Sequence, residues 1–181
     1  MVVFGAGAVG LNVIQGARLV NAETIVAVDV SEPKLALARA FGATHTVDAA
    51  RTDAVAGVRG LTGGRGADYA FEAAGTEATL QQALEAARPG GTVVILGKTQ
   101  VDARVSLRFG SLMGERLITR SSYGGARPRR DFPLLARMYL DGRLKLDELI
   151  TRRLALAEIN DGFRDMAKGA LVRAVVMFDG Q

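Results

Sequence analysis

Three glycines near the start of the chain have the spacing of a turn that binds a phosphorylated ligand. Gly5, Gly7 and Gly10 form the pattern G-x-G-x-x-G between an apolar run and a segment of helical periodicity. In a strand-turn-helix unit, the first glycine permits a tight turn, the second lets a diphosphate approach the backbone, and the third lets helix and strand pack closely. Because the start of a helix presents N–H groups and the positive end of a dipole, an anion is favoured there.

An acidic residue follows this turn at the distance expected of a dinucleotide site. Asp29 ends the next apolar run and lies 19 residues after Gly10 (29 − 10). Its carboxylate would accept hydrogen bonds from both hydroxyls of an adenosine ribose and would repel the 2′-phosphate of NADP. The sequence therefore predicts NAD as the cofactor. The alternative is a glycine turn that serves packing and an aspartate that caps the following helix.

Short apolar runs alternate with helical segments as far as residue 97, a pattern typical of a parallel sheet flanked by helices. The runs are rich in Val, Ile and Thr, as strands buried on both faces are. Ser31 is expected to cap the second helix with its side chain, Pro33 to lie in the first turn of that helix and Gly42 to end it. The predicted fold class is therefore α/β, a Rossmann-type doubly wound parallel sheet with flanking helices. Strands are predicted at residues 2–4, 24–28, 44–47, 68–71 and 92–96, and helices at residues 8–20, 32–41, 53–61 and 77–87.

Beyond residue 97 the alternation is less regular. A further strand is predicted from Arg116 to Ser122, and a break follows it at residues 123–125. We predict a dinucleotide-binding domain at residues 1–125 and a separate C-terminal αβ segment at residues 126–181. That segment is predicted to contain helices at 129–140 and 156–168 and extended stretches at 150–156 and 172–178.

Other residues near predicted strand ends are weaker candidates for a binding site. Gly75 and Gly97 each end a predicted strand, where a small residue would let a ligand lie across the carboxyl edge of the sheet. Lys98 follows the fifth strand and faces the same edge, with a solvated lysine as the alternative. Residues 60–66 (GLTGGRG) lack the Lys-Ser/Thr pair of a phosphate loop and are predicted to be a surface loop. His45 is predicted to be a partly exposed strand residue, with a catalytic base as the alternative.

The composition excludes several kinds of site. The 181 residues include no cysteine and one histidine, so disulfides, thiolate zinc sites and cysteine nucleophiles are excluded. A net charge of +4 arises from 23 basic and 19 acidic residues that are interspersed, which indicates a solvated surface and no nucleic-acid partner. No apolar run is long enough for a membrane helix, and the N-terminus lacks the features of a signal peptide. We therefore expect a cytoplasmic protein without a membrane partner.

Taken together, these segments resemble the cofactor domain of the medium-chain, zinc-dependent alcohol dehydrogenases. The similarity is carried by VFGAGAVGLNVIQGARLVNAETIVAVDVSEPKLALARAFGATHTVDA, FEAAG, RPGGTVVILG and the closing INDGFRDMAKGALVRAVVMF, which together span essentially the whole chain. The resemblance implies an oxidoreductase that transfers hydride between an alcohol or aldehyde and NAD. It also implies that the C-terminal segment belongs to a GroES-like catalytic domain, most of which would precede this chain and is missing from it.

The resemblance further implies a set of cofactor-binding residues and no catalytic or metal-ligating residue. Arg173 would lie near the diphosphate, because a guanidinium forks onto two oxygens, with a surface strand arginine as the alternative. The other residues are Gly5, Gly7, Gly10 and Val9 around the diphosphate, Asp29 and Lys34 at the ribose, Ala73, Gly75, Leu96, Gly97 and Lys98 in the cleft, and Ser121 and Tyr123 at the carboxamide.

One departure from the family concerns zinc, which the family holds with Cys and His ligands that this chain lacks. We therefore expect a fragment or truncated gene product that binds NAD without oxidising alcohols. Two alternatives are a zinc-free quinone or enoyl reductase that uses NADP, which Asp29 disfavours, and a non-catalytic module for a dinucleotide or S-adenosylmethionine, which Gly10 disfavours. The resemblance also implies a homodimer formed through the edge strand from Arg116 to Ser122.

Overall fold

Six parallel strands form one sheet in the computed structural model, which describes residues 1–178. They are β1 (Val2–Phe4), β2 (Val26–Asp29), β3 (His45–Asp48), β4 (Ala67–Glu72), β5 (Ala87–Ile95) and β6 (Leu117–Arg120). Their spatial order is β3-β2-β1-β4-β5-β6, so the first three strands extend to one side of the sheet and the last three to the other. The predicted doubly wound α/β fold is confirmed. In this topology a ligand binds in the crevice at the carboxyl ends of β1 and β4, where the strand order reverses.

Helices join the strands, and local sequence signals set their ends. They are α1 (Ala8–Leu19), α2 (Glu32–Phe41), α3 (Ala54–Gly60), α4 (Glu77–Ala86) and the short α5 (Phe109–Leu112). Pro33 lies in the first turn of α2, and Gly42 ends α2 with a φ of 114°. The prediction for Ser31 was wrong: it occupies the N-cap position, but within residues 1–178 its side chain makes no capping hydrogen bond. Its backbone N–H instead donates to Asp29 Oδ1 at 3.0 Å.

β5 begins earlier than predicted, at Ala87 and not at Thr92. Ala87 pairs with Ala67, and the pairing continues from Tyr69 with Thr92 after a shift in register. α4 therefore passes directly into β5. The irregular stretch between the two paired segments contains Gly90, whose φ is +69°.

The centre of the sheet is buried on both faces, as the apolar runs predicted. Val2 and Val3 are 0% exposed and Phe4 is 1% exposed, although β1 has only these three residues. β1 pairs with β2 on one side and with β4 on the other. The glycine turn therefore follows directly from the most buried strand, which holds it in a fixed position.

The first compact unit of the chain is Met1–Ala126, and a second unit begins at Arg127. The second unit contains α6 (Pro128–Leu140), α7 (Ile159–Ala167) and a two-stranded parallel sheet of β7 (Arg152–Ala155) and β8 (Ala174–Met177). The helix predicted at 156–168 starts as a 3-10 turn over Leu156–Glu158. Among the helices of residues 1–178, none is long and apolar enough to cross a bilayer.

Candidate cofactor-binding site

The three glycines of the turn have different surroundings. Gly5 has a φ of +96°, which favours glycine, and its N–H donates to the Val28 carbonyl oxygen at 2.8 Å. A Cβ on Gly10 would lie 1.8 Å from the Gly5 carbonyl oxygen, so the first turn of α1 packs directly on the loop. A Cβ on Gly7 would meet no atom within 4 Å. Gly5 and Gly10 therefore shape the turn, while open space lies above Gly7, where a diphosphate would approach.

The start of α1 fits an anionic group at this point. Gly7 is the N-cap residue, and the first turn of the helix contains only Ala8, Val9 and Gly10. The first N–H groups of a helix have no acceptor within it, and they carry the positive end of the helix dipole. Because no carboxylate occupies this turn, a ligand phosphate would meet these groups without a competing acceptor.

Asp29 connects the glycine turn to the start of α2. Its Oδ2 accepts a hydrogen bond from the Ala6 N–H at 2.7 Å, and its Oδ1 accepts one from the Ser31 N–H at 3.0 Å. A carboxylate offers about four lone-pair directions, so each oxygen retains capacity for a ligand hydroxyl. The two backbone bonds fix the orientation of the carboxylate. Asp29 therefore stabilises the start of α2, as the alternative interpretation had it, and is also presented to the crevice.

A cavity of about 330 Å³ lies beside this carboxylate. Gly5 and Asp29 both line it, and Val30, Ala49 and Ala74 supply apolar walls. Small apolar side chains with one carboxylate at the side suit an adenosine, whose base is flat and weakly polar and whose ribose carries hydroxyls. The structure thus brings the glycine turn and the predicted ribose-binding residue to the same cavity.

The loops after β4 and β5 meet backbone to backbone. Gly75 lies beyond the end of β4, with a φ of +79°, and a Cβ on it would lie 2.5 Å from the Lys98 carbonyl oxygen. A Cβ on Gly97 would lie 2.4 Å from the Gly75 nitrogen. The loop after β5 therefore fills the space that a side chain on Gly75 would need. Gly75 itself still lines a cavity, so its place beside a bound ligand stays a prediction.

Sequence reasoning missed Glu72, the last residue of β4, which is 2% exposed. Its Oε1 accepts hydrogen bonds from the Ala74 N–H at 2.8 Å, the Gly75 N–H at 2.7 Å and the Thr79 hydroxyl at 2.8 Å. A second acidic residue, directly after the apolar Ala70 and Phe71, was the available signal, since a buried carboxylate requires such partners.

The other predicted residues are distributed along the carboxyl edge of the sheet. Leu96 and Ser121 line a largely apolar cavity of about 580 Å³. Gly75, Gly97 and Lys98 line another, of about 750 Å³. Val9 lies in the first turn of α1 and is 52% exposed. Tyr123 follows β6, has a φ of 52° and is 90% exposed. Lys34 lies in α2, and the Ala73 N–H donates to the Phe4 carbonyl oxygen at 2.8 Å.

Arg173 belongs to the second unit. It precedes β8, and its carbonyl oxygen accepts a hydrogen bond from the Thr151 N–H at 2.9 Å. His45 is exposed at the start of β3, with Nδ1 2.9 Å from the Thr44 hydroxyl oxygen. The His45 side chain does not line the cavities described above.

The described residues do not fit the zinc ion that the family resemblance implies. Within residues 1–178, no group of three or more His, Cys, Asp or Glu side chains could hold a metal ion. The sequence has no cysteine. The described residues therefore offer no donor set for zinc.

Comparisons with known proteins agree with this geometry. The family described as zinc-binding dehydrogenase matches residues 8–141. The class-3 alcohol dehydrogenase of Cereibacter sphaeroides is 38% identical over 185 residues, which cover 98% of this chain and 49% of that protein. The chain spans about half the length of the curated relatives it matches.

Two solved structures have the same fold over nearly the whole chain. Benzyl alcohol dehydrogenase from Acinetobacter calcoaceticus superposes with a TM-score of 0.90 at 31% identity, covering 97% of this chain and 48% of that one. A zinc-binding dehydrogenase from Sinorhizobium meliloti in complex with NADP superposes with a TM-score of 0.86 at 31% identity, covering 98% of this chain and 52% of that one. Sequence, fold and site thus agree that this chain belongs to the zinc-binding dehydrogenase family and corresponds to the cofactor-binding domain of the medium-chain alcohol dehydrogenases.

Proposed function

We propose that this chain is the NAD-binding part of an oxidoreductase that transfers hydride between an alcohol or aldehyde and NAD. One observation carries the proposal: the oriented carboxylate of Asp29 accepts a hydrogen bond from Ala6, the residue directly before Gly7, and the space above Gly7 is open. A diphosphate at the start of α1 would place an attached adenosine ribose next to Asp29. The alcohol dehydrogenases among the relatives support the choice of reaction.

The charge of Asp29 favours NAD over NADP. Its two oxygens accept backbone N–H groups of Ala6 and Ser31, so the carboxylate cannot easily turn away from the crevice. The 2′-phosphate of NADP would therefore approach a fixed negative charge. The second candidate function is a zinc-free quinone or enoyl reductase that uses NADP. The NADP complex of the zinc-binding dehydrogenase from Sinorhizobium meliloti supports the choice of cofactor alone.

Calorimetric titration of the pure chain distinguishes these candidates. We expect NAD to bind at least about tenfold more tightly than NADP, which corresponds to about 1.4 kcal/mol. S-adenosylmethionine serves as the control for a glycine turn that binds another adenosine compound, and we expect no heat from it. Tighter binding of NADP would favour the second candidate, and binding of S-adenosylmethionine alone would contradict both.

We propose further that the residues that activate the alcohol lie outside this chain. The described residues offer no donor set for zinc, so they supply binding and orientation of the cofactor and not the polarisation of an alcohol oxygen. The pure chain, mixed with NAD, zinc and a series of primary alcohols, should produce no NADH above the rate without protein. Zinc-dependent formation of NADH by this chain would contradict the proposal.

A second copy of the chain is the partner we propose for the edge strand β6. Leu117 is 60% exposed and Ile118 is 36% exposed, and an uncovered edge strand invites pairing with another chain. The Ser121 N–H donates to the Ile95 carbonyl oxygen and so points towards β5. Because successive N–H groups along a strand point to opposite sides, the Ile118 N–H points away from β5, towards the open edge. We expect a dimer by light scattering, and a monomer with unchanged circular dichroism for Ile118→Pro. A monomeric wild-type chain would contradict this assignment.

A further inference from the structure

The roles given to the glycine turn and to Asp29 do not explain why the carboxylate of Glu72 is buried. It is 2% exposed, and Oε1 alone accepts three hydrogen bonds, from the Ala74 N–H, the Gly75 N–H and the Thr79 hydroxyl. Burying a carboxylate costs several kcal/mol unless hydrogen bonds compensate. A neutral side chain would fill the same space without this cost, so the charge itself points to a role in holding neighbouring segments together.

Glu72 contacts the loop after β4 with its side chain and the loop after β5 with its backbone. Its carbonyl oxygen accepts hydrogen bonds from the Leu96 N–H at 2.7 Å and the Gly97 N–H at 3.0 Å. Its Oε2 also approaches the Gly97 backbone so closely that a Cβ on Gly97 would lie 2.4 Å from it. One residue thus joins residues 73–75 to residues 96–98.

The first of these loops also contacts the glycine turn. A Cβ on Gly5 would lie 2.9 Å from the Ala74 nitrogen, the same nitrogen whose hydrogen is bonded to Glu72 Oε1. Ala74 lines the cavity beside Asp29, and Gly97 lines the cavity on the β5 side. The Ala74 backbone therefore lies between the glycine turn and the Glu72 carboxylate.

We propose that Glu72 is a positioning residue that holds the two loops after β4 and β5 at the separation required for the nicotinamide half of the bound dinucleotide. The proposal rests on the proposed NAD-binding function. Glu72 acts through the backbone of Ala74, Gly75 and Gly97, and it also lines the cavity of about 750 Å³ on the β5 side. Its hydrogen bonds are charge-assisted and therefore stronger than those a neutral acceptor would make.

Two substitutions of graded severity test this role. Glu72→Gln keeps the shape and a neutral acceptor oxygen, and Glu72→Met keeps the length and removes the acceptor. The matched control is Asp68→Asn, because Asp68 lies at the opposite end of the same strand, accepts hydrogen bonds from Arg65 and Arg88, and lies away from the crevice. If Glu72→Met does not fold, Glu72→Gln alone decides the outcome.

Hydrogen exchange in the ligand-free chain measures the loops directly. We expect the Ala74 and Gly75 amides to exchange about threefold faster in Glu72→Gln and at least about tenfold faster in Glu72→Met, while Asp68→Asn leaves them unchanged relative to the rest of β4. Unchanged exchange at both amides in the Glu72 variants would overturn the proposal.

Titrations with NAD and AMP measure the consequence for the cofactor. AMP occupies only the cavity beside Asp29, where Glu72 holds Ala74 alone of the two loops, whereas NAD also needs the loop after β5. We therefore expect both affinities to fall in the Glu72 variants, the ratio of NAD affinity to AMP affinity to fall by at least about fivefold, and this ratio to stay constant in Asp68→Asn. A role in stability alone would lower the melting temperature without changing this ratio, and that result would also overturn the proposal. A wild-type chain that binds no NAD would contradict the proposed function, and the exchange measurement would then decide whether Glu72 holds the loops.

Discussion

Gly10 lies so close to Gly5 that a Cβ on Gly10 would come within 1.8 Å of the Gly5 carbonyl oxygen. The contact joins the first turn of α1 to the loop that leaves the central strand. By contrast, a Cβ on Gly7 would reach open space. Gly10 therefore serves the packing of α1 on the loop, and we propose that Gly7 leaves room for the ligand.

Gly10→Ala should destabilise the chain. The added methyl group cannot fit without moving α1 away from the loop, and overpacking of this kind costs about 3 kcal/mol. Urea unfolding followed by circular dichroism measures the change in the free energy of unfolding. An unchanged midpoint of urea unfolding would mean that α1 can move away from the loop without loss of stability, which would contradict the packing described.

Gly7→Ala should fold normally and lose affinity for NAD. The φ of Gly7 is −77°, which alanine adopts readily, and we expect the free energy of unfolding to stay within about 1 kcal/mol of wild type. Its methyl group would occupy the space needed by the diphosphate, so the dissociation constant of NAD should rise by at least about tenfold. Calorimetric titration checks this, and undiminished affinity would place the diphosphate elsewhere.

Asp29→Asn should reduce the preference for NAD. An amide has one acceptor oxygen, so the Ala6 or the Ser31 N–H loses its partner, and the loss of charge removes the repulsion of a 2′-phosphate. We expect the affinity for NAD to fall by about tenfold, the ratio of NADP to NAD affinity to rise, and stability to fall by about 1 kcal/mol. Parallel titrations with both cofactors provide the measurement. A constant ratio would show that another residue sets the preference.

Asp68 should contribute stability that depends on pH. Hydrogen bonds from Arg65 and Arg88 lower the pKa of its carboxyl from 3.8 to about 2. Because the folded-state pKa lies below the unfolded one, the contribution is fully present above about pH 4 and is lost as the pH falls towards about 2. The side chain is 42% exposed, so the contribution at neutral pH is about 0.5 to 1 kcal/mol.

Urea unfolding of wild type and Asp68→Asn across this pH range checks the expectation. The variant should be less stable at neutral pH, and the difference between the two proteins should shrink as the solution is acidified. A difference that stays constant down to about pH 2 would contradict the assigned pKa.

The sequence predicted best where local chemistry decides the structure. Pro33 and Gly42 set the ends of α2, and the predicted and observed boundaries coincide. The spacing of 19 residues between Gly10 and Asp29 was enough to predict that both belong to one dinucleotide-binding site. The carboxylate also accepts the Ala6 N–H, a contact that appears only once β1 and β2 lie side by side.

Features that depend on distant segments were not predictable from the sequence. β5 starts at Ala87 because Ala87 pairs with Ala67, and no residue near Ala87 in the sequence indicates this pairing. Gly75 needs to be glycine because the Lys98 carbonyl oxygen lies next to it. Glu72 is buried in part by the Gly97 backbone, which belongs to the loop after the next strand.

The contact between Gly75 and Gly97 also limits how this protein could be re-engineered. A side chain at either position would collide with the main chain of the other loop, and main chain cannot be moved aside by a change of rotamer. Directed evolution of cofactor preference should therefore leave both glycines unchanged. A library is better directed at Val30, which lines the cavity beside Asp29 and is 69% exposed.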